Sequence, residues 1–336
     1  MAWQFIAALA LAAGLPQPQH ARVGEIDFFG TAGIDVPAIR SALPIQKGDT
    51  ITEDQIGGFR ERMNRAAEKA LGHKPTDVAI LCCDGRGDFT IYIGLGGSNT
   101  AIFPLLPAPT GRTCLSKYAM GLYDGVMLAF SRAIQKGNGG EDHSRGYALA
   151  NDAVARSKQL AVHHYAMAHE QRTEQALQFC GKPEHRQVAA WILGYASKSK
   201  SQIAALVSAS RDSDEEVRNN AVRALWVLTG SNLSTASEIP ADNLVDMLNS
   251  SLWTDRNKTG LLLVELSRAR NPRLLDRLRS EAARSLIEMA RWENPGHAYA
   301  YRVLLGRIAG LEEARIQQLI DSGKVDAIIA AVGGLP

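Results

Sequence analysis

Four apolar helical segments recur in the second half of the chain, and they restrict its fold more than any other feature. HRQVAAWILGYAS, VRNNAVRALWVLTG, DRNKTGLLLVELS and HAYAYRVLLGRIAG can be laid under one another. Leu193, Leu225, Leu263 and Leu305 then fall in equivalent places, at steps of 32, 38 and 42 residues. Between them lie second apolar stretches with Ile203, Leu206 and Val207, then Leu244, Val245 and Leu248, then Leu274, Leu275 and Leu278. A helix pair repeated at such a period cannot bury its apolar stripe alone, so neighbouring pairs must stack into an α-solenoid. Residues 114–182 read as a helical region leading into that array. SKYAMGLYDGVMLAFSRAIQKG places Leu122, Val126, Ala129 and Ala133 on one face, and Gly137–Gly140 ends it. A second helical stretch runs from about Tyr147 to Phe179, with Asp152 as a cap, until Gly181 and Pro183 stop it.

The clearest unit runs from Asp212 to Leu225, where Asp214, Val217, Arg218 and Ala221 give the pattern Asp-x-x-Val-Arg-x-x-Ala. An aspartate there meets the positive end of a helix dipole, and Val217, Ala221 and Leu225 form a buried stripe. Arg218 is in reach of an aspartate or a carbonyl in the adjacent turn. These residues resemble the start of the second helix of a HEAT repeat. The unit from Glu184 is similar to it, while Asp255-Arg256-Asn257 lacks the valine and the last unit keeps mainly Leu304, Leu305 and Ile308. The back half, with its loop near Gly137–Leu149, also resembles bacterial exported HEAT-repeat proteins. The resemblance implies a HEAT-like, armadillo-like helical solenoid over residues 183–336 whose concave surface binds another protein. Among Trp191, Trp226, Trp253 and Trp292, core packing suits most. Trp226 and Trp253, with Arg223, Tyr299 and Tyr301, are the candidates for contacting a partner.

The front of the chain reads differently. VGEIDFFG is a strand ending at Gly30, and Asp35-Val36-Pro37 opens a helix with Ile39 and Leu43 on its apolar stripe. Thr52 and Gln55 have capping-box spacing and start a second helix to Leu71-Gly72. DVAILCC and DFTIYIGL follow as strands joined by a turn at Asp84–Gly87. This gives a small α+β domain (β-α-α-β-β) over residues 22–96, ahead of the all-α solenoid. Ile26-x-Phe28-x-Gly30, the break at Leu43…Lys47-Gly48-Asp49, Leu71-Gly72 and the closing strands Val78–Leu81 and Phe89–Ile93 resemble a POTRA domain. That resemblance implies docking by strand addition at a sheet edge. Residues 97–113 form a Pro/Gly linker, but Ile102, Phe103, Leu105 and Leu106 are too apolar to hang free and are expected to lie against a domain. Gly94-x-Gly96-Gly97 is followed by prolines, not a helix, so it does not read as a dinucleotide loop.

The run WQFIAALALAA at Trp3–Ala13 is too short to span a membrane and fits the apolar region of a secretory signal within residues 1–21. No basic residue precedes it, so a buried first helix of a cytoplasmic protein is the alternative. Export, to the periplasm or beyond, would leave no stable membrane insertion once the signal is cleaved. Cys82, Cys83, Cys114 and Cys180 leave three readings open: buried thiols, a Cys114–Cys180 bridge, or redox chemistry. A net charge of +2 with no Lys/Arg stripe argues against nucleic acid as a partner.

One cluster invites a catalytic reading: Glu141, Asp142 and His143, then His163, His164, His169, Glu170 and Glu174. The histidines are spaced five and six apart rather than four, which scatters them around a helix, and Glu170 and Glu174 read as solvated. No catalytic residue, metal ligand or cofactor is therefore assigned. The sequence points to a non-enzymatic exported adaptor or scaffold that holds another protein. A metal-dependent enzyme built on residues 141–174 and a cytoplasmic solenoid scaffold are the alternatives.

Overall fold

Strand alternation in VGEIDFFG and FTIYIG is met by a mixed four-stranded sheet. The structure, a computed structural model, describes residues 20–52, 58–81 and 87–333. The apolar run at 3–13, Gln55, Cys82, Cys83 and the turn at 84–86 lie outside the described residues. β1 (His20–Phe29) pairs antiparallel with β2 (Thr50–Thr52) and parallel with β4 (Phe89–Gly94), which pairs antiparallel with β3 (Asp77–Leu81), giving the order β2-β1-β4-β3. On one face Val23, Ile26, Phe28, Ile91 and Ile93 pack against Ile39 of α1 (Val36–Ala42) and Met63 of α2 (Phe59–Leu71). Asp35 caps α1 by accepting from the Ala38 amide at 3.2 Å. The turn after Thr52, where the capping box with Gln55 was expected to open the second helix, lies outside the described residues. Thr52 ends the edge strand β2, and α2 begins after Gly58, whose φ of 69° is a left-handed conformation suited to glycine.

The rest is helical: α3 (Lys117–Gln135), α4 (Ala153–Phe179), α5 (Pro183–Leu193), α6 (Lys200–Ala209), α7 (Glu215–Ser231), α8 (Asp242–Met247), α9 (Trp253–Leu266), α10 (Pro272–Arg277), α11 (Ala283–Ala290), α12 (Pro295–Ile308), α13 (Glu313–Asp321) and α14 (Val325–Ala331). The fold is thus a small β-rich domain followed by a helical solenoid. Asp152, Ser199 and Asp214 cap α4, α6 and α7 by accepting from first-turn amides. Tyr147 does not start α4. Its neighbours Leu149–Ala150 (β6) pair with Glu141–Asp142 (β5) in a short hairpin, and the helix begins at Ala153.

One arginine brace recurs through the repeats. Arg186, Arg218 and Arg256, all essentially buried, donate to the carbonyls six residues earlier, of Cys180, Asp212 and Ser250, at 3.0, 2.8 and 2.6 Å. Each tethers its helix to the loop that precedes it and satisfies a carbonyl shut off from water.

The described chain forms two compact units, residues 103–244 with 258–269, and residues 20–102 with 245–257 and 270–333. In the first, α4 and α6 make one layer and α5 and α7 the other. In the second, the sheet face away from α1 and α2 is covered by the chain's last helices. Tyr92 stacks on Trp253 (ring centroids 5.2 Å) and meets Trp292 (4.5 Å), and its hydroxyl lies 2.7 Å from His297 Nδ1. The Glu288 carboxylate accepts from the Gly30 and Thr31 amides at 2.8 and 2.7 Å and pairs with Arg256 at 3.1 Å. Gly30 holds φ at 66° there, which turns its amide onto that carboxylate. Residues 97–100 extend this join, since the Gly97 and Ser98 amides bond to the Gly30 and Ala32 carbonyls.

Candidate functional site

The unit of residues 103–244 and 258–269 gathers most of the polar residues that sequence reasoning singled out, in two places. The first is the hairpin β5–β6. Glu141, its side chain 4 % exposed, receives Arg223 Nη2 at 2.5 Å and Gln159 Nε2 at 3.1 Å, and His143 Nε2 stands 3.5 Å away. Gln159 also donates to the Tyr195 hydroxyl (3.2 Å) and accepts from the Ala150 amide (2.6 Å), so both hairpin strands are tied to α4. Burial by itself would raise the Glu141 carboxyl. The Arg223 charge, helped by His143, overrides that and brings it down to about 2. Lys258 is buried nearby. Desolvation, then the like charge of Arg223, push its ammonium down to about 7, against the pull of Glu141 and Glu216.

Of the five candidate partner residues, this hairpin absorbs two. Arg223 is committed to Glu141, and the half-buried Trp226 meets the His143 ring edge-on at 5.1 Å. In the other unit Trp253 and Tyr301 are 1 % and 0 % exposed. Trp253 is spent on Tyr92, and Tyr301 donates to the Arg256 carbonyl at 3.2 Å. Neither has surface to offer a partner. Tyr299 remains half-buried, its hydroxyl 3.3 Å from Gln317 Oε1.

The histidine cluster is pulled apart. His163 stacks on Tyr147 (4.4 Å), with Nδ1 2.7 Å from the Tyr195 carbonyl oxygen. His169 leaves helical geometry (φ −132°, ψ 26°), bends α4 and lies against Tyr165. Glu170, read as solvated, instead accepts from the Ser197 and Ser199 hydroxyls in the loop before α6. Among the described residues no group of three His, Cys, Asp or Glu side chains is placed to hold a metal ion.

The second place is a cleft of about 550 Å³ on the α4–α6 layer. The 103–113 segment forms one wall, with Leu106, Pro107 and Pro109 facing in. It is held there by the Leu106 amide on the Arg211 carbonyl (2.7 Å), Arg211 Nε on the Pro104 carbonyl (3.2 Å) and the Arg218 guanidinium over the Phe103 ring. The expectation that this segment lies against a domain holds for Phe103, which is buried. Ile102, Leu105 and Leu106 stay exposed. A Cys114–Cys180 disulfide, its Cα atoms 4.9 Å apart, joins the start of α3 to the end of α4, and the Gly181 amide bonds to the Gly111 carbonyl at 2.8 Å. Opposite the segment, α6 presents Ser201, Ala204, Ala205 and Ser208, small residues that leave the cleft open. Leu177 and the half-buried Glu174 of α4 also line it, and the Oε1 atom of Glu174 is shut off from solvent. Asp212 also faces the cleft, but its carboxylate takes Arg186 at 2.8 Å through both oxygens.

These two places have different chemical capacities. The hairpin network satisfies itself and positions a loop. The cleft is a mostly apolar recess lined by small side chains, the makings of a binding site. Sequence reasoning missed Lys258, Glu288 and two of the brace arginines. Arg186 and Arg256 had a signal, because they stand 32 and 38 residues from Arg218, the steps already seen in the leucines.

Among the described residues no helix is long and apolar enough to cross a membrane. No curated protein matches the sequence. Residues 171–260 match a family described as HEAT repeats, and with the helix pairs around them they make this a HEAT-like helical repeat protein.

Proposed function

We propose that the chain is an exported, non-enzymatic scaffold that holds a protein partner on its first helical unit. The observation that carries this is the coincidence of the HEAT match, residues 171–260, with most of the cleft lining on α4 and α6. HEAT repeats commonly mediate protein interactions, and stacked helix pairs offer long surfaces for it. The Cys114–Cys180 disulfide supports export, because such bonds persist in oxidising compartments. So does the apolar run at Trp3–Ala13. A POTRA-like front domain fits the mixed sheet, in which β3 stands at an edge where a partner strand could add.

Removing the helical half would not test this cleanly, because residues 245–257 and 270–333 build one unit with the sheet. The test is chemical cross-linking of the full chain in envelope and soluble fractions, beside an Ala204→Trp variant that fills the cleft from an exposed position. A partner cross-linked by the parent and lost by the variant, at unchanged melting temperature, is the expected result. Equal capture by both would remove the cleft from the proposal, and a mature N-terminus at Met1 or Ala2 would end the export reading.

A further inference from the structure

The 103–113 segment has a side that faces away from the cleft. From Phe103 to Thr110 it carries no helix or strand, and its burial repeats every three residues. Phe103 is buried under the Arg218 guanidinium, and Leu106 and Pro109 line the cleft. One step along the chain, Pro104 and Pro107 are exposed, although Pro107 also reaches the cleft. The third set is Leu105, 43 % exposed, and Ala108, exposed as well. Three residues per turn is the period of polyproline II, which prolines favour and which needs no hydrogen bonds of its own. The segment is fixed from within its unit by the Leu106 amide on Arg211, by Arg218 over Phe103 and by the Gly181 amide on Gly111. Two ridges stand outward side by side, Pro104 with Pro107 and Leu105 with Ala108. They are ordered before any partner arrives, which lowers the entropic cost of docking.

Resting on the scaffold reading above for the existence of a partner, we infer that these ridges dock into a groove of that partner lined by tyrosine and tryptophan and acidic at its rims. The backbone excludes strand addition. Pro104, Pro107 and Pro109 have no N–H, and the Leu106 amide is spent on the Arg211 carbonyl. From 104 to 109 that leaves the amides of Leu105 and Ala108, three apart, whereas one edge of a strand presents its donors two apart. The side chains offer no charge either, since FPLLPAPTG holds no ionisable residue. A partner meets apolar rings and methyl groups together with more carbonyl acceptors than donors. Tyrosine and tryptophan answer both, with a flat apolar face for a proline ring and an O–H or N–H for a carbonyl. Charge complementarity sets the rims. Arg112 is exposed at one end, and the half-buried Arg211 lies on the Pro104 carbonyl near the other.

The test puts the photo-cross-linker benzoylphenylalanine in place of Leu105, of Ala108 or, as a control, of the exposed Gln171 on α4, in the full chain and in envelope and soluble fractions. A peptide of residues 103–112 competes, beside a counterpart carrying Pro104→Ala, Pro107→Ala and Pro109→Ala. The expected result is a partner captured from positions 105 and 108 but not from 171, with the cross-link mapped by mass spectrometry beside tyrosine or tryptophan. The parent peptide should suppress that capture about tenfold more effectively than its counterpart. In the full chain, Leu105→Glu should lower capture from position 108 about tenfold at an unchanged melting temperature, and Pro104→Ala with Pro107→Ala should do the same. A cross-link mapped to a strand edge or to a surface without aromatic residues overturns the inference. So does capture that survives both variants, or that the two peptides suppress equally. A partner lost with Ala204→Trp and never cross-linked from 105 or 108 overturns it too, and leaves the scaffold reading standing. No capture from the cleft or from the ridges removes both.

Discussion

Each unit buries a carboxylate, and the two carboxylates behave in opposite ways. Glu141 has a guanidinium against it, and its carboxyl falls to about 2 despite nearly complete burial. Asp27, on the sheet face covered by the last helices, accepts from the Glu293 amide at 3.0 Å and feels the charge of Arg40 without pairing with it in the way Glu141 pairs with Arg223. Burial takes Asp27 up to about 6, and the charge of Glu293 adds to the rise. The comparison shows what holds each unit. The first is pinned by charge at the hairpin and by the Cys114–Cys180 bond between α3 and α4, the second by aromatic stacking and a carboxylate on backbone amides. Burial alone makes an acid weaker, so a strong buried acid marks a place where the fold has matched it with a cation.

The sharpest way to break the first unit is to remove that cation. Arg223→Met leaves Glu141 buried without its guanidinium, a change that costs about 3–5 kcal/mol at neutral pH. Urea denaturation should show that loss, and hydrogen exchange should place it in peptides of residues 117–231. The deficit should shrink toward pH 4, because an unpaired Glu141 takes up a proton there. Adding Glu141→Gln should recover a large part of it at pH 7. If the single variant is as stable as the parent, the pair does not hold the hairpin.

The matching break in the second unit is Trp253→Ala. It empties a fully buried site stacked on Tyr92, and large aromatic truncations of this kind cost at least about 3 kcal/mol. Faster exchange should follow in the peptides of β4 and α12. If exchange in β4 is unchanged, the sheet does not depend on that stack.

Reduction separates the units with less force. Cys114→Ser with Cys180→Ser opens a loop closed across a sequence separation of 66, with an expected cost of about 2–4 kcal/mol. Exchange should quicken around α3 and α4, while β1 and β4 keep their protection. A uniform loss throughout the chain would contradict two separately held units.

The same contrast explains what the sequence could and could not say. Helix pairs were legible because their stripes are local, from Val217, Ala221 and Leu225 outward, and so was the α1 cap at Asp35. The join of Glu288 to Gly30 was not, since it bridges 258 positions and neither residue carries a local mark of it. Glu170 and Glu174 were read on one helix in isolation. The serines of the next loop take Glu170, and Glu174 is half-buried beside the cleft that the 103–113 segment walls. The hairpin escaped because two-residue strands are too short to alternate. Four of the five candidate partner residues were chosen for aromatic bulk, which serves a core as well as a groove. That is why Trp253 and Tyr301 turned inward.

The smallest effect sharpens the comparison furthest, because it is read as the sign of a slope. Asp27 binds a proton more tightly folded, at about 6, than its ordinary value of 3.8. Its contribution is therefore fully present below pH 4 and is lost as pH rises toward 6, on the order of 2 kcal/mol. Glu141 runs the other way: bound less tightly folded, at about 2 against 4.5, it adds stability above pH 4.5 that disappears as pH falls toward 2. Exchange followed from pH 4 to 6 should thus show peptides of β1 and β4 loosening as pH rises, while those of α7 hold steady or tighten. Asp27→Asn should flatten the slope in β1 and leave α7 unchanged. If both units move together, their buried acids are not what sets their response to pH, and the division between charge-pinned and aromatic-pinned halves loses its electrostatic basis.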